Sequence, residues 1–263
     1  MKIEYYVIDP AGNITALVCS AVQKRFYKPV AQEIFCRRKE VEQVGFVSFD
    51  NGGLKLGMSG DEFCGNATMC AAALYYQSTG ASGTRNIRVS ALAGSEPVEV
   101  AVTKSGEYYE CSCVLEPPRS VSEISFTAAG RQYVFPLVCF DGITHVIADG
   151  SLSEQAAQSV IRNLAKELSA KALGIMIFEG GTNTLRPIVY VSGVDTLFFE
   201  NSCASGSCAV AAVYGEPDKT IEIRQPGGSI TAGRTGRGIY LGTRLKITGH
   251  YLEETDYAEE NGF

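Results

Sequence analysis

Residues 64–75 read CGNATMCAAALY, and residues 203–214 read CASGSCAVAAVY. Aligned without a gap, the two stretches match Cys64 with Cys203, Ala72 with Ala211, Ala73 with Ala212 and Tyr75 with Tyr214. Their offset is 203 − 64 = 139 positions, close to half of the 263-residue chain. In each, a Cys and small residues precede an Ala-rich run of high helix propensity. Each reads as a loop feeding a helix, and Gly80 supplies a glycine stop after the first. The repeat predicts two related domains, 1–118 and 119–263, each presenting one Cys at a helix entrance, with the active site in the cleft between them. Pro117 and Pro118 mark the crossing from one half to the other.

Outward from the repeat the chain is rich in strand-like segments. The first half offers IEYYVID (3–9), ITALVC (14–19), VGFVSFD (44–50), LKLGMS (54–59), IRVSAL (87–92), VEVAVT (98–103) and YYECSCVL (108–115), with a short helix around Pro29–Arg37. The second half offers ISFTAA, RQYVFPLVCF, THVIAD, ALGIMIF, RPIVYVS, TIEIRQ, SITAG, IYLGT and RLKIT. Between them the stretch 152–170 is an amphipathic helix: Ala157, Val160, Ile161, Leu164 and Leu168 fall on one face, and Ser153 is placed to cap it.

Composition excludes several classes. The chain is 45% hydrophobic and 20% charged, a globular balance. Lys and Arg total 23 against 29 Asp and Glu, a formal charge of −6, which argues against a nucleic-acid or anionic-membrane partner. No apolar run approaches the roughly 20 residues of a membrane span. The N-terminus, MKIEYYVID, lacks the pattern of a signal peptide, so a cytoplasmic location is expected. Nine Cys, an odd number, with no CxxC pair and only two His argue against both a disulfide framework and a zinc site. Cys19, Cys36, Cys111, Cys113 and Cys139 read as packing residues, and so do Cys70 and Cys208 inside their helices.

Cys64 and Cys203 are set apart by their place. The first amides of a helix have no intrahelical partner, and the helix dipole favours negative charge there. A Cys in that position is expected to have a lowered pKa, and the same amides can hold a carboxylate. Two thiols on opposite sides of a carbon can invert it, one as thiolate taking a proton and the other as thiol delivering one. This chemistry calls for neither metal nor cofactor. Glu62 and Glu200, each just before its Cys, read as acids at the helix entrance.

At these residues the chain resembles the diaminopimelate epimerase-like racemases, a cofactor-independent two-cysteine superfamily that includes proline racemase. EFCGNATMC (62–70) is similar to its Cys-Gly-Asn motif, and SCASGSCA (202–209) to its Ala-Cys-Gly-Ser-Gly motif. AGN (11–13), Gln43, GITH (142–145) and QPGGSI (225–230) are lesser matches, and the resemblance runs over about residues 1–250. It implies an α/β (α+β) fold of two pseudo-symmetric domains, each a curved or barrel-like mixed sheet around a central helix. It implies Cys64 and Cys203 as catalytic residues and Asn13, Gln43, Gly65, Asn66, Ala204 and Ser205 as substrate contacts, with His145 in a supporting place. It also implies a homodimer acting on a small amino acid.

The departures narrow the substrate. Where the diaminopimelate enzyme has Asn residues for the distal end of its substrate, this chain has Ile143 and Ala172. The Glu-Arg pair upstream of the second Cys is missing, and Phe198 and Phe199 stand in that stretch. A pocket of Ile143, Ala172 and Phe199 cannot pair a second charged amino-acid group, whose unpaired burial would cost several kcal/mol. FCGNAT, GITH, ALGIM and FFENSC look most like the histidine racemase branch, so histidine is the expected substrate. Three other readings use the same residues: a diaminopimelate epimerase, a phenazine-biosynthesis-type isomerase, and a thiol redox sensor or metal-binding module without turnover.

Overall fold

The computed structural model describes residues 2–50, 53–91 and 96–257. In chain order the elements of the first half are β1 (Lys2–Pro10), β2 (Thr15–Val18), α1 (Tyr27–Arg37), β3 (Gln43–Asp50), β4 (Gly53–Met58), α2 (Gly65–Ser78), β5 (Arg85–Ser90), β6 (Val98–Ser105) and β7 (Tyr108–Leu115). Then follow β8 (Ser120–Ala128), β9 (Arg131–Cys139), β10 (Thr144–Ala148), α3 (Glu154–Glu167), β11 (Ala172–Glu179), β12 (Thr184–Val191), β13 (Thr196–Phe199), α4 (Ala204–Tyr214), β14 (Thr220–Gln225), β15 (Gly228–Thr235) and β16 (Gly238–Glu254). Leu92, the last residue of the expected strand IRVSAL, lies outside the described residues. Among the described residues no helix is long and apolar enough to cross a membrane.

The chain divides into two compact units, Met1–Ser112 with Arg244–Phe263, and Cys113–Thr243. This differs from a simple split at residue 118. The segments IYLGT and RLKIT, expected as two short strands, form the single 17-residue strand β16, because Gly242 and Thr243 continue the extended ladder instead of turning. Its later residues pair with β1, from Lys2 opposite Glu254 to Pro10 opposite Leu245. The C-terminal segment therefore belongs to the first unit.

In the first unit the strand order β1-β2-β3-β4-β5-β6-β7-β16, with β16 returning to β1, closes an eight-stranded barrel. Closure leaves no edge strand. Helix α2 fills its interior, packing against β1 to β6. The Ala-rich sequence has no polar face along Ala67–Leu74, which is buried throughout. That is the signature of a core helix rather than a surface one. Outside α2, Val30, Ala31 and Ile34 of α1 pack on Ile3, Tyr5, Val18 and Phe46.

The second unit repeats the plan. Its order is β8-β9-β10-β11-β12-β14-β15-β16, with β13 beside β12. A parallel pair joined through a helix occurs twice in each unit: β2 with β3 and β4 with β5, then β10 with β11 and β12 with β14. Helix α2 and helix α4 occupy the same slot in their units, as do α1 and α3. Strand β11 is buried from Ala172 to Phe178, since both of its faces are covered. Ala157, Ile161 and Leu164 of α3 pack against Leu173, Ile175 and Ile177, each large side chain contributing about 1.5–3 kcal/mol of burial. Ser153 caps α3 as expected, its hydroxyl accepting from the Ala156 N–H at 3.2 Å. Among the described residues no pairing joins β8 to β16, so this sheet is curved but open at that seam. A groove of about 910 Å³ lies there, lined by Pro117, Val121, Pro136, Ala212, Arg234 and Gly238 among others.

Candidate active site

The two repeated stretches fold alike to the level of single bonds. Cys64 is the N-cap of α2 with φ −133° and ψ 110°, and Cys203 is the N-cap of α4 with φ −131° and ψ 111°. The Cys64 Sγ accepts from the Ala67 N–H at 3.2 Å, and the Cys203 Sγ accepts from the Gly206 N–H at 3.4 Å. Four residues on, the Thr68 hydroxyl donates to the Cys64 carbonyl and the Ser207 hydroxyl donates to the Cys203 carbonyl, each at 2.8 Å. A cap sulfur thus takes the place of the more usual cap oxygen, and a hydroxyl on the next turn pins the cap carbonyl. The Ser or Thr four residues after each Cys is a repeated feature that the alignment of identical residues overlooks.

Around this common frame the partners differ. In the first unit they are amides. The Cys64 thiol donates to Gln43 Oε1 at 2.7 Å. Gln43 is the first residue of β3, and the parallel register sets it opposite Thr15, so the start of β3 lies beside the Asn13 turn. The Asn66 Nδ2 donates to Asn13 Oδ1 at 2.9 Å, and the Asn13 Nδ2 donates to Glu42 at 2.6 Å. The structure thus brings Asn13, Gln43, Cys64, Gly65 and Asn66 to one end of the barrel. Asn13 is fully buried and occupied with Asn66 and Glu42.

In the second unit they include a hydroxyl, an imidazole behind it and the carboxylate of Glu200. The Ser205 Oγ lies 3.6 Å from the Cys203 Sγ and 2.9 Å from the His145 Nε2. His145 has no exposed surface, and burial lowers its pKa to about 3, so the ring is neutral. Its place depends on Gly174, directly opposite it across the β10–β11 register. A Cβ on Gly174 would lie 2.3 Å from His145 Nδ1. Gly206 meets a similar demand, because a Cβ there would lie 2.2 Å from the Met176 Sδ. Ala204 and Ser205 form the first turn of α4 beside Cys203.

Gln225 was not singled out by the sequence. Its Oε1 accepts from the Cys203 N–H at 2.7 Å, and its Nε2 donates to the Ser207 Oγ at 3.1 Å. The side chain therefore holds the Cys203 N–H directly and its carbonyl through the Ser207 hydroxyl. The only trace of it in the sequence is its place before Pro226-Gly227-Gly228 at the end of β14.

Burial decides the protonation of Cys203. It pushes the thiol well above its ordinary value, and the charge of Glu200 adds to that; the Ser205 hydroxyl and the Gly206 N–H pull the other way but do not prevail. The expectation that a helix N-terminus lowers the pKa is thus outweighed here, and Cys203 rests as a thiol. Burial likewise pushes Cys70 and Cys208 up, in keeping with a packing role. Cys36, expected inside, is exposed on α1. Glu62 is pushed up to about 7 by burial, and among the described residues its Oε2 has no hydrogen-bond partner.

The expected specificity residues are not alike. Ile143 and Ala172 are buried near the starts of β10 and β11. Ala172 is the first residue of β11, one position before Leu173, which stands opposite Thr144 as Gln43 stands opposite Thr15. Phe199 ends β13 with 46% of its surface exposed, paired with Ile188 across the ladder.

A solved structure of hydroxyproline epimerase from Agrobacterium vitis, with bound trans-4-hydroxy-L-proline, matches this chain with a TM-score of 0.66 at 12% identity, covering 95% of this chain and 92% of that one. The fold is the one shared by that epimerase and a probable proline racemase from Agrobacterium radiobacter K84. Within it, the model of the histidine racemase CntK N-terminal domain matches residues 2–250, and the chain belongs to that family. A histidine racemase from Fusobacterium nucleatum subsp. nucleatum is 31% identical over 217 residues, covering 79% of this chain and 80% of the relative. A histidine racemase from Staphylococcus aureus is 27% identical over 260 residues, covering 94% and 93%. The chain is a racemase, an isomerase by class.

Proposed function

We propose that this chain racemises histidine without a cofactor, Cys64 and Cys203 acting as the two bases. The observation that carries the reading is the duplicated N-cap cysteine, alike in geometry and in its supporting hydroxyl, within a chain of the histidine racemase family. The amino-acid carboxylate is bound where the amides of α2 and α4 begin, and those amides stabilise the enolate-like charge that develops when the α-proton leaves. Gly65, Asn66, Ala204 and Ser205 are the residues that bind it. One thiol, as thiolate, removes the α-proton and the other delivers a proton to the opposite face; the reverse reaction exchanges the roles. Ile143 and Ala172 favour a substrate with a single charged amino-acid head. The enzyme works in the cytoplasm as a homodimer.

The test incubates L- and D-histidine, a panel of other L-amino acids and LL-diaminopimelate in D₂O with reducing agent and no added cofactor. Exchange at the α-carbon is followed by NMR, and chirality by chiral chromatography. Exchange with inversion of histidine is expected. Inversion of another amino acid with histidine untouched overturns the substrate, and absence of exchange with every compound overturns the mechanism. Size-exclusion chromatography with light scattering reads the oligomeric state.

A further inference from the structure

One buried titratable group takes no part in the two-base exchange. His145 has no exposed surface, burial holds its ring neutral, and among the described residues its Nδ1 has no hydrogen-bond partner. We propose that His145 is locked as the Nε2–H tautomer and fixes the polarity of the Ser205 hydroxyl, so that this hydroxyl always donates to the Cys203 sulfur. His145 is then a positioning residue that acts on Cys203 through Ser205. The proposal rests on the racemase reading and adds to it the side chain that steadies the Cys203 thiolate once its proton has left.

A neutral imidazole has one N–H and one bare nitrogen, and its neighbours decide which is which. The surroundings of Nδ1 offer an N–H nothing. Gly174 stands opposite His145 across the parallel register. A Cβ on it would lie 2.3 Å from Nδ1, so the hydrogen that glycine carries instead lies against that nitrogen. A buried N–H without an acceptor is rare in folded proteins, because nothing replaces its lost hydration, whereas an unpaired acceptor is better tolerated. The proton therefore sits on Nε2, and Ser205 Oγ accepts it at 2.9 Å. Ser205 then has its own hydroxyl proton to place. Ser207, two residues on, spends its proton on the Cys203 carbonyl, but Ser205 has the Cys203 Sγ at 3.6 Å. The links run one way, from imidazole to hydroxyl to sulfur. The sulfur also accepts from the Gly206 N–H at 3.4 Å. The charged group facing it is Glu200, whose carboxylate is hydrogen-bonded to the Cys203 thiol. Glu200 favours the thiol and the Ser205 hydroxyl favours the thiolate, so the two oppose each other at one sulfur.

The tautomer is read directly in protein carrying ¹⁵N-labelled histidine, with the two imidazoles told apart by His250→Gln. Long-range proton–nitrogen correlation is expected to show His145 protonated on Nε2 and bare on Nδ1, unchanged from about pH 8 down to about 5. A proton on Nδ1 would reverse both links and overturn the proposal. The second link is read in protein labelled with [3-¹³C]cysteine, whose Cβ shifts follow each thiol, with the Cys64 and Cys203 signals assigned from Cys64→Ser and Cys203→Ser. Ser205→Ala is expected to raise the Cys203 titration midpoint by roughly one pH unit, about a tenfold smaller thiolate fraction at any pH below it. It should leave the Cys64 midpoint in place and cut kcat about tenfold with little change in KM. His145→Met, which keeps the bulk and loses the donor, is expected to move the Cys203 midpoint the same way by less. Ser205→Thr keeps the hydroxyl, and the amide NH₂ of His145→Gln replaces the Nε2–H, so both are expected to stay near wild type in midpoint and kcat. An unmoved Cys203 midpoint in Ser205→Ala, or a His145→Gln variant no better than His145→Met, would make the pair a packing contact and overturn the proposal. Should His145→Met fail to fold, Ser205→Ala and the wild-type tautomer decide it. Tautomer and midpoints need no substrate: a wild-type protein inert toward histidine would sink the functional reading and leave these two tests standing.

Discussion

The two units hold the same cysteine in the same backbone cap and surround it with different chemistry. Cys64 in the first unit meets a carboxamide at the start of β3, with the Asn66–Asn13–Glu42 chain beside it. Cys203 in the second meets a hydroxyl backed by a fully buried imidazole. The barrel of the first unit is closed by β1 and β16, whereas the sheet of the second is open between β8 and β16. The difference teaches that the repeated unit is the thiol cap, held by backbone amides and a hydroxyl one turn on. The side chains around each thiol differ in origin: Gln43 comes from the start of β3, whereas Ser205 belongs to the helix that Cys203 caps and His145 reaches it from β10.

The largest expected effect tests whether the two thiols are equal in consequence. Cys64→Ser and Cys203→Ser should each lower racemisation by about 10²–10⁴-fold or more, with the circular dichroism spectrum and melting temperature close to those of wild type. Loss in one variant alone would make the second cysteine structural and break the symmetry of the pair.

Next in size is the cost of the buried imidazole behind Ser205. His145 has a folded pKa near 3 against an ordinary value of 6.5. Between those values the unfolded chain binds the proton and the native one does not, so stability falls as pH drops from about 6.5 toward 3. The linked loss is on the order of 4 kcal/mol. Urea titrations across that range should show a shallower decline for His145→Gln than for wild type; parallel declines would mean that the ring is not the group being protonated. Glu62 in the first unit carries the opposite sign. Its carboxyl, pushed up to about 7, contributes stability fully present below about 4.5 and lost as pH rises through 7. Glu62→Gln should flatten that limb.

A smaller effect is expected from Gly174→Ala. The new Cβ meets His145 Nδ1 in a packed layer, and overpacking of this kind costs about 1–3 kcal/mol. Its particular signature is that the thiol titration of Cys203 shifts while that of Cys64 does not. A fully stable variant with both titrations unchanged would show that His145 has room the structure does not give it.

The least of the four is a difference in amide exchange. The backbone of β1 is hydrogen-bonded on both sides, to β2 and β16, whereas among the described residues β8 pairs with β9 alone. The amides of β8 that face away from β9 should exchange faster with deuterated solvent than those of β1. Equal protection would mean that the open seam is covered in solution.

The sequence by itself determined the two-fold plan, the helix entrances at Cys64 and Cys203, the amphipathic helix capped by Ser153 and the family. All of these are local: a run of small residues after a Cys, a 3.6-residue period and a Ser ahead of it survive in a string of letters because their physics acts between near neighbours. What tertiary structure decided was the company each thiol keeps. Gln43 is 21 residues from Cys64, Gln225 is 22 from Cys203 and His145 is 60 from Ser205, and parallel register rather than sequence spacing brings such residues to the end of a sheet. The same holds for the pKa of Cys203, which local reasoning from the helix dipole would lower. Burial, a property of the whole fold, raises it. The fusion of two expected strands into β16, which assigns the C-terminal segment to the first unit, is likewise a matter of pairing partners that the sequence does not name.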